Sequence, residues 1–229
     1  IEALKKVSND IVVVDALSED GTAKICKDLG VRVFEKAWVN YSVNKNYGNS
    51  KTKHDWILSI DADEVLSEEL IQTLQNLKLE NGKVYALDRI SSYCGQWIRH
   101  GAWYPDWKVR LFNRKEVAWQ GDYVHETLNI PEGQTVIRLR GKLWHYTFQN
   151  ATEYIERQKK YAQLAGDELI RKGKRANVVK QWGAPVFRFI RDYFFKRGFL
   201  DGRAGLIIAK RNAWVVFKKY QILKEFLSK

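Results

Sequence analysis

The stretch Trp56-Ile57-Leu58-Ser59-Ile60-Asp61-Ala62-Asp63-Glu64 constrains this chain more than any other. A strand-length apolar run stops abruptly in a cluster of acids. Near-continuous apolar runs are what strands buried on both faces of an α/β sheet look like. Ligands of such sheets bind beyond the carboxyl ends of their strands. In extended chain Asp61 and Asp63 fall on the same side, and two carboxylates there repel unless positive charge sits between them. A hard divalent cation, Mg²⁺ or Mn²⁺, clamped to a substrate phosphate meets that need. A reading without a ligand also exists: Ser67-Glu68-Glu69 looks like a cap opening a helix, and acids are favoured in a first turn.

Ile11-Val12-Val13-Val14-Asp15 is a second apolar run ending in an acid. Residues 23–29 then read as a helix with Gly30 as its C-cap. Residues 31–34 read as a strand, 41–50 as a helix and 55–60 as the strand already described. Strand alternating with helix predicts an α/β fold with a Rossmann-like, mostly parallel sheet. Two of its strands end in Asp, so acids converge at one sheet edge.

Residues 83–147 change character. Short strands are expected at 84–90, 108–112, 135–139 and 143–146, around an aromatic-rich loop at 96–107. The chain carries 9 Trp and 11 Tyr, several of them here. Aromatic faces suit the C–H patches of sugar rings, and they equally suit a satellite core.

From residue 151 the pattern is helical and basic, with an amphipathic helix at 152–164. The charge is unevenly placed: residues 1–150 hold 20 Lys/Arg and 20 Asp/Glu, whereas residues 151–229 hold 19 and 7, so the whole net charge of +12 lies in the last third. Between residues 186 and 197 large apolar side chains interleave with Arg and Lys, and Lys218-Lys219-Tyr220 follows. That mixture suits a helix lying in a lipid headgroup layer, or a core-packing helix with snorkelling basic residues. An anionic partner, membrane surface or nucleic acid, is implied for this region. The 229 residues therefore divide into a domain at 1–150 and a basic helical extension at 151–229. Cys26 and Cys94 form no framework and no metal-type spacing, which points to reduced thiols and a cytoplasmic setting. No apolar run approaches the roughly 18 residues that span a bilayer. The chain has no Met, so residues ahead of Ile1, a targeting signal among them, stay open.

In this order and spacing the motifs resemble those of family 2 glycosyltransferases. Val13-Val14-Asp15-Ala16-Leu17-Ser18-Glu19-Asp20-Gly21-Thr22 is similar to their VVDxxSxDGT element, Lys45-Asn46-Tyr47 to the Arg/Lys-Asn-Tyr that follows, and Asp61-Ala62-Asp63-Glu64 to their DxD motif. Trp103-Tyr104-Pro105-Asp106, Val109-Arg110-Leu111-Phe112, Val124-His125-Glu126 and Arg197-Gly198-Phe199-Leu200-Asp201-Gly202 resemble a narrower branch, the bacterial lipopolysaccharide-core β-1,4-glucosyltransferases. The family opens with a strand and a Thr-x-Asn-Glu loop that helps hold the nucleotide base. Residues 1–9 resemble the tail of the helix after that loop, so that first strand is expected ahead of Ile1.

The resemblance implies a GT-A fold with a smaller acceptor-side β region, a nucleotide-sugar donor and an inverting displacement by an acceptor hydroxyl. The departing diphosphate needs its charge neutralised and the hydroxyl needs a base. By resemblance Asp63 is the metal ligand, Asp61 contacts the donor ribose or shares the metal, and His145 completes the metal shell from a later strand. Asp15, Ser18 and Asp20 line the nucleoside pocket, and Lys45 reaches the diphosphate. Glu126 is the expected base, with Asp106 the alternative. The acceptor is then a lipid-linked or lipopolysaccharide-core saccharide, and the enzyme is peripheral to the inner face of the bacterial cytoplasmic membrane. A GT-A-like nucleotidyltransferase and a basic binding module are the competing classes. No nucleic-acid motif appears, so nucleic acid is not an expected partner. The C-terminal helices leave a homodimer open.

Overall fold

The computed structural model describes residues 1–121, 126–175 and 178–228. The chain forms two compact units, residues 1–89 with 107–144, and residues 90–106 with 145–229. Segment 90–106 therefore packs with the C-terminal helices.

The first unit begins with a short helix α1 (Glu2–Lys5), strand β1 (Val12–Asp15), helix α2 (Thr22–Asp28), strand β2 (Arg32–Glu35) and helix α3 (Tyr41–Lys51). β1 and β2 pair in parallel, Val12 opposite Arg32 and Asp15 opposite Glu35. Gly30 follows α2 at φ 73°, the left-handed residue its C-terminus was expected to need. Asn40 caps α3, its side chain accepting from the Val43 amide at 2.8 Å. α3 comes close to β1: a Cβ on Gly48 would lie 2.8 Å from Val14 Cγ2.

Next come β3 (Trp56–Leu58), β4 (Glu64–Leu66) and α4 (Glu68–Gln75). Ser67 caps α4 by accepting from the Leu70 amide. Strands β5 (Lys83–Tyr93), β6 (Gln96–Trp97), β7 (Trp107–Asn113), β8 (Ala118–Gln120), β9 (Thr127–Asn129) and β10 (Thr135–Phe148) complete the β structure. One sheet runs β3-β7-β5-β10-β4 with β6 beside β5, and β8 pairs with β9. β7 is antiparallel to both β3 and β5, and β6 and β9 are antiparallel to β5 and β8. The parallel pairing predicted from strand–helix alternation is carried by β1 and β2.

The apolar runs are explained by burial on both faces of the larger sheet. Tyr85, Leu87, Leu111 and Leu143 pack on one face with Leu70 and Ile71 of α4. Ile57, Val84 and Phe112 face the other way, toward Val117 and Trp119. Two strands expected at 135–139 and 143–146 are one, β10. Gly141 reads as punctuation, but it lies inside the strand at φ 93°, and a Cβ there would sit 2.3 Å from the Leu70 backbone nitrogen. The glycine lets α4 touch the strand without ending it.

In the second unit helix α5 (Ala151–Arg171) opens on an Asn150 cap, and α6 (Val178–Ile190) leads into a π-helical turn, Arg191–Phe195. A 3-10 turn, Gly198–Asp201, precedes the long helix α7 (Gly202–Leu227). Trp103, from the aromatic-rich loop, packs with Tyr93, Phe148 and Tyr154, ring centroids 5.7 Å from the latter two. For Trp103 the satellite core is the outcome. Asp201 is buried and accepts from the amides of Arg99 and His100 at 3.2 and 2.8 Å, which ties the segment after β6 to the start of α7.

Candidate functional site

At the end of β1 the chain turns back on Asp15. Leu17 takes a left-handed φ of 64°, uncommon for a residue with a Cβ. The turn brings the Ser18 hydroxyl to 2.6 Å and the Ser18 amide to 2.9 Å of the Asp15 carboxylate. The hydroxyl first, then the amide, hold Asp15 below the usual carboxylate range. Asp20 turns toward its own helix, accepting from the Thr22 hydroxyl at 2.6 Å and amide at 3.0 Å, which lowers its pKa too. Asp15 and Ser18 thus form one small cluster, while Asp20 starts α2.

The acidic cluster departs from the extended chain expected for it. β3 stops at Leu58, and residues 61–64 form a turn closed by the Glu64 amide donating to the Asp61 carbonyl at 3.0 Å. Strand geometry therefore does not set Asp61 and Asp63 side by side. Asp63 is exposed at the turn. Glu64 starts β4, where its carboxylate is fully buried.

The positive charge beside Asp61 comes from the chain itself. Lys45 Nζ, from α3, lies 2.9 Å from Asp61 Oδ1, and Arg110 Nη2, from β7, lies 2.6 Å from Oδ2. The same Arg110 nitrogen is 2.5 Å from Glu64 Oε1, which Arg89 of β5 also reaches at 3.2 Å. Glu64 Oε2 accepts from the Asp61 amide at 3.0 Å. Burial alone would push the Asp61 carboxyl up. Arg110, then Lys45, outweigh it, and the pKa falls from 3.8 to about 2. Lys45 also stands 4.3 Å from the centre of the Trp119 ring, a cation–π contact. Asn46 fixes Trp119 by donating to its carbonyl at 2.8 Å and accepting from its amide at 3.0 Å. Two donors in this cluster, Arg110 Nε and Trp119 Nε1, are buried without a hydrogen-bond partner. An unspent buried donor is costly unless something pairs with it.

Glu64 and Arg110 stand in motifs quoted from the sequence but carried no assigned role, and Arg89 and Trp119 were not singled out. The available signal was a lone Arg inside the apolar run Val109-Arg110-Leu111-Phe112. An Arg surrounded by β-strand hydrophobics is buried only when paired.

Among the described residues no group of three or more His, Cys, Asp or Glu side chains is poised to hold a metal ion. Asp61 is engaged by two cations, and Asp63 is the exposed carboxylate of the turn. One such ligand suits a Mg²⁺-like ion that keeps its waters and arrives with substrate phosphates, not a closed protein cage. His145 belongs to the second unit, where its Nδ1 lies 2.9 Å from the Ser91 hydroxyl and 3.0 Å from that of Thr147. Asp106 is also in the second unit, just before β7. Glu126 is half-buried immediately before β9, and His125 beside it lies outside the described residues.

The family model for glycosyl transferase family 2 matches residues 1–130. That is more than half of the chain, and the chain belongs to this family, with its mixed α/β GT-A architecture. It is similar to an uncharacterized glycosyltransferase of Rickettsia typhi, with 25% identity over 98% of this chain and 81% of the relative. An uncharacterized glycosyltransferase of Rickettsia felis is 25% identical over 100% of this chain and 85% of the relative. The lipopolysaccharide core biosynthesis glycosyltransferase LpsC of Rhizobium meliloti is 26% identical over 97% of this chain and 87% of its own length. The protein is a transferase that uses a nucleotide-sugar donor and a saccharide acceptor.

Proposed function

We propose that the protein moves a hexose from a UDP-sugar to a hydroxyl of a lipid-linked or lipopolysaccharide-core saccharide, inverting the anomeric centre to give a β-glycosidic bond. The observation that carries this reading is the Lys45–Asp61–Arg110 cluster at the end of β3. It presents a fixed carboxylate and two cations beside the acidic turn, which supports a donor-phosphate role for this edge. Likeness to a lipopolysaccharide core enzyme supports the acceptor class.

Asp15 and Ser18 take the nucleoside, with Asp20 holding the loop. Asp61, locked by Arg110, accepts from the ribose, and Lys45 faces the diphosphate as a point charge. Asp63 holds a divalent cation, Mg²⁺ or Mn²⁺, which when bound supplies positive charge to the leaving group. His145 is the further candidate ligand. The acceptor oxygen forms its bond to the anomeric carbon as the bond to the diphosphate oxygen breaks. Glu126, or Asp106, takes the hydroxyl proton. Residues 1–150 carry the chemistry. The basic region 151–229 holds the enzyme against the anionic inner leaflet, where each Lys or Arg is worth roughly 1 kcal/mol. No helix among the described residues is long and apolar enough to cross a membrane.

The test is thermal stability against a panel of nucleotides with and without Mn²⁺, since a ligand of the folded state raises Tm by mass action. UDP with Mn²⁺ is expected to raise Tm, and Asp63→Ala to lose the metal-dependent part. A shift with another nucleoside diphosphate alone would change the donor. No shift with any nucleotide would overturn the reading.

A further inference from the structure

Helix α6 shows large apolar side chains to the outside. Its buried positions are Gln181 and Pro185, and Asp192 in the π-helical turn after it is 1% exposed. The Asp192 carboxylate is met by Arg188 Nε at 2.6 Å, Arg191 Nη2 at 2.9 Å and Asn212 Nδ2 at 3.1 Å. Its outward side is apolar. Val179, Trp182, Val186, Phe187 and Ile190 recur at helical spacing and are all exposed, Trp182 at 62% and Phe187 at 61%. The stripe continues through the turn with Phe194 and Phe195, the latter 75% exposed, and then past it with Phe199 and Leu200. Scattered exposed apolar residues need no explanation, but a contiguous run of this kind marks an interaction surface.

Charge identifies the partner. Residues 178–197 hold five basic side chains and one acid, Asp192. That acid is buried, so what the surface shows around the apolar stripe is positive. Lys180, Lys196 and Arg197 are exposed beside it. Protein–protein interface cores are depleted in Lys. Large aromatics flanked by Lys and Arg, on a helix too short and too charged to span, are the composition of an element lying in a lipid headgroup layer.

We infer that the outer face of α6 and the turn after it, from Val179 to Leu200, inserts into the headgroup–acyl boundary of an anionic phospholipid bilayer. This deepens the membrane association proposed above and rests on it. It replaces a purely electrostatic contact with insertion of Trp182, Phe187, Phe194 and Phe195. Insertion and electrostatic adsorption differ in their response to salt. Screening shortens the reach of charge from about 10 Å at 0.1 M to about 3 Å at 1 M salt and leaves buried apolar area untouched.

The experiment uses the full chain and vesicles of phosphatidylcholine with or without phosphatidylglycerol. The wild type is expected to sediment with phosphatidylglycerol vesicles and to stay bound at about 1 M NaCl. Trp182 emission is expected to contribute a blue shift that Trp182→Phe removes. Phe187→Glu/Phe195→Glu is expected to lower the bound fraction by roughly tenfold or more. Both positions are exposed, so circular dichroism should show the fold kept. Release of the wild type by salt, or full binding by the double variant, overturns insertion. Equal binding to phosphatidylcholine alone overturns the anionic assignment. A dimer in the ultracentrifuge that Phe187→Glu dissolves would mean that a second copy covers this face. The UDP-dependent Tm shift is read on the same variants without lipid. Failure on vesicles with that shift intact leaves the donor reading standing, and the reverse outcome leaves the vesicle result standing.

Discussion

Lys45 Nζ lies 2.9 Å from Asp61 Oδ1, joining the middle of α3 to the end of β3. Lys45 is held from below by the Trp119 ring, which Asn46 fixes in turn. The ammonium is therefore placed before any ligand arrives, and its loss removes a positioned charge, not a flexible one. Lys45→Ala is expected to weaken UDP binding by about 10- to 100-fold, the worth of one charge-assisted hydrogen bond. Isothermal titration would check it. Unchanged affinity would place the diphosphate elsewhere.

Arg110 serves two carboxylates with one nitrogen, and Glu64 is fully buried beneath it. Removing the guanidinium leaves Glu64 with Arg89 and the Asp61 amide. Stripping one partner from a buried pair costs about 3–5 kcal/mol, because the remaining charge is stranded. Arg110→Leu is expected to lower the urea midpoint accordingly. Arg110→Leu/Glu64→Leu together should cost less than Arg110→Leu alone, since the fully buried Glu64 charge is then gone and the partly exposed Asp61 keeps Lys45. A single variant within about 1 kcal/mol of wild type would mean that Arg89 suffices.

Asp61 makes part of the stability depend on acid. Its folded pKa, about 2, is depressed below the ordinary 3.8. A depressed carboxylate contributes stability that is complete above the ordinary pKa and is lost as pH falls through the folded one. A third of this side chain is in water, so screening trims the contribution to about 1 kcal/mol. Between about pH 6 and about pH 2.5 the wild type should lose about that much more stability than Asp61→Asn. Parallel urea curves at the two pH values would show it, and identical losses would refute the coupling.

The sequence made local features legible and left distant pairings hidden. Ser67 and Gly30 announce helix ends through chemistry within a few residues, and the structure uses both that way. Lys45 and Asp61 belong to separate motifs, and they meet. Arg110 went unrecognised because its partner Glu64 is 46 positions away, and no local pattern records such a pairing. The break expected between residues 139 and 143 is absent for a related reason: the backbone that requires Gly141 belongs to Leu70. In α6 the periodicity reveals a stripe but not which way it faces. The burial of Gln181 and Pro185, and of Asp192 held by Arg188, Arg191 and Asn212, shows which side faces in and leaves Trp182 and Phe187 exposed.

Glu126 stands half-buried at the start of β9, in a segment that follows the acidic turn in chain order, as the acceptor region of this family does. If it takes the acceptor proton, Glu126→Gln keeps shape and hydrogen bonding but cannot accept that proton. Transfer is then expected to fall by about 10²- to 10⁴-fold, while the UDP-dependent Tm shift persists, since the proposed donor groups Asp15, Lys45 and Asp61 are untouched. Asp106→Asn is expected to stay within about tenfold of wild type. Product formation from a labelled nucleotide-sugar, read beside the Tm shift, separates the two roles. Near-normal turnover by Glu126→Gln with collapse of Asp106→Asn would move the base to Asp106. Loss of the Tm shift in Glu126→Gln would make that residue part of the donor site and not the base.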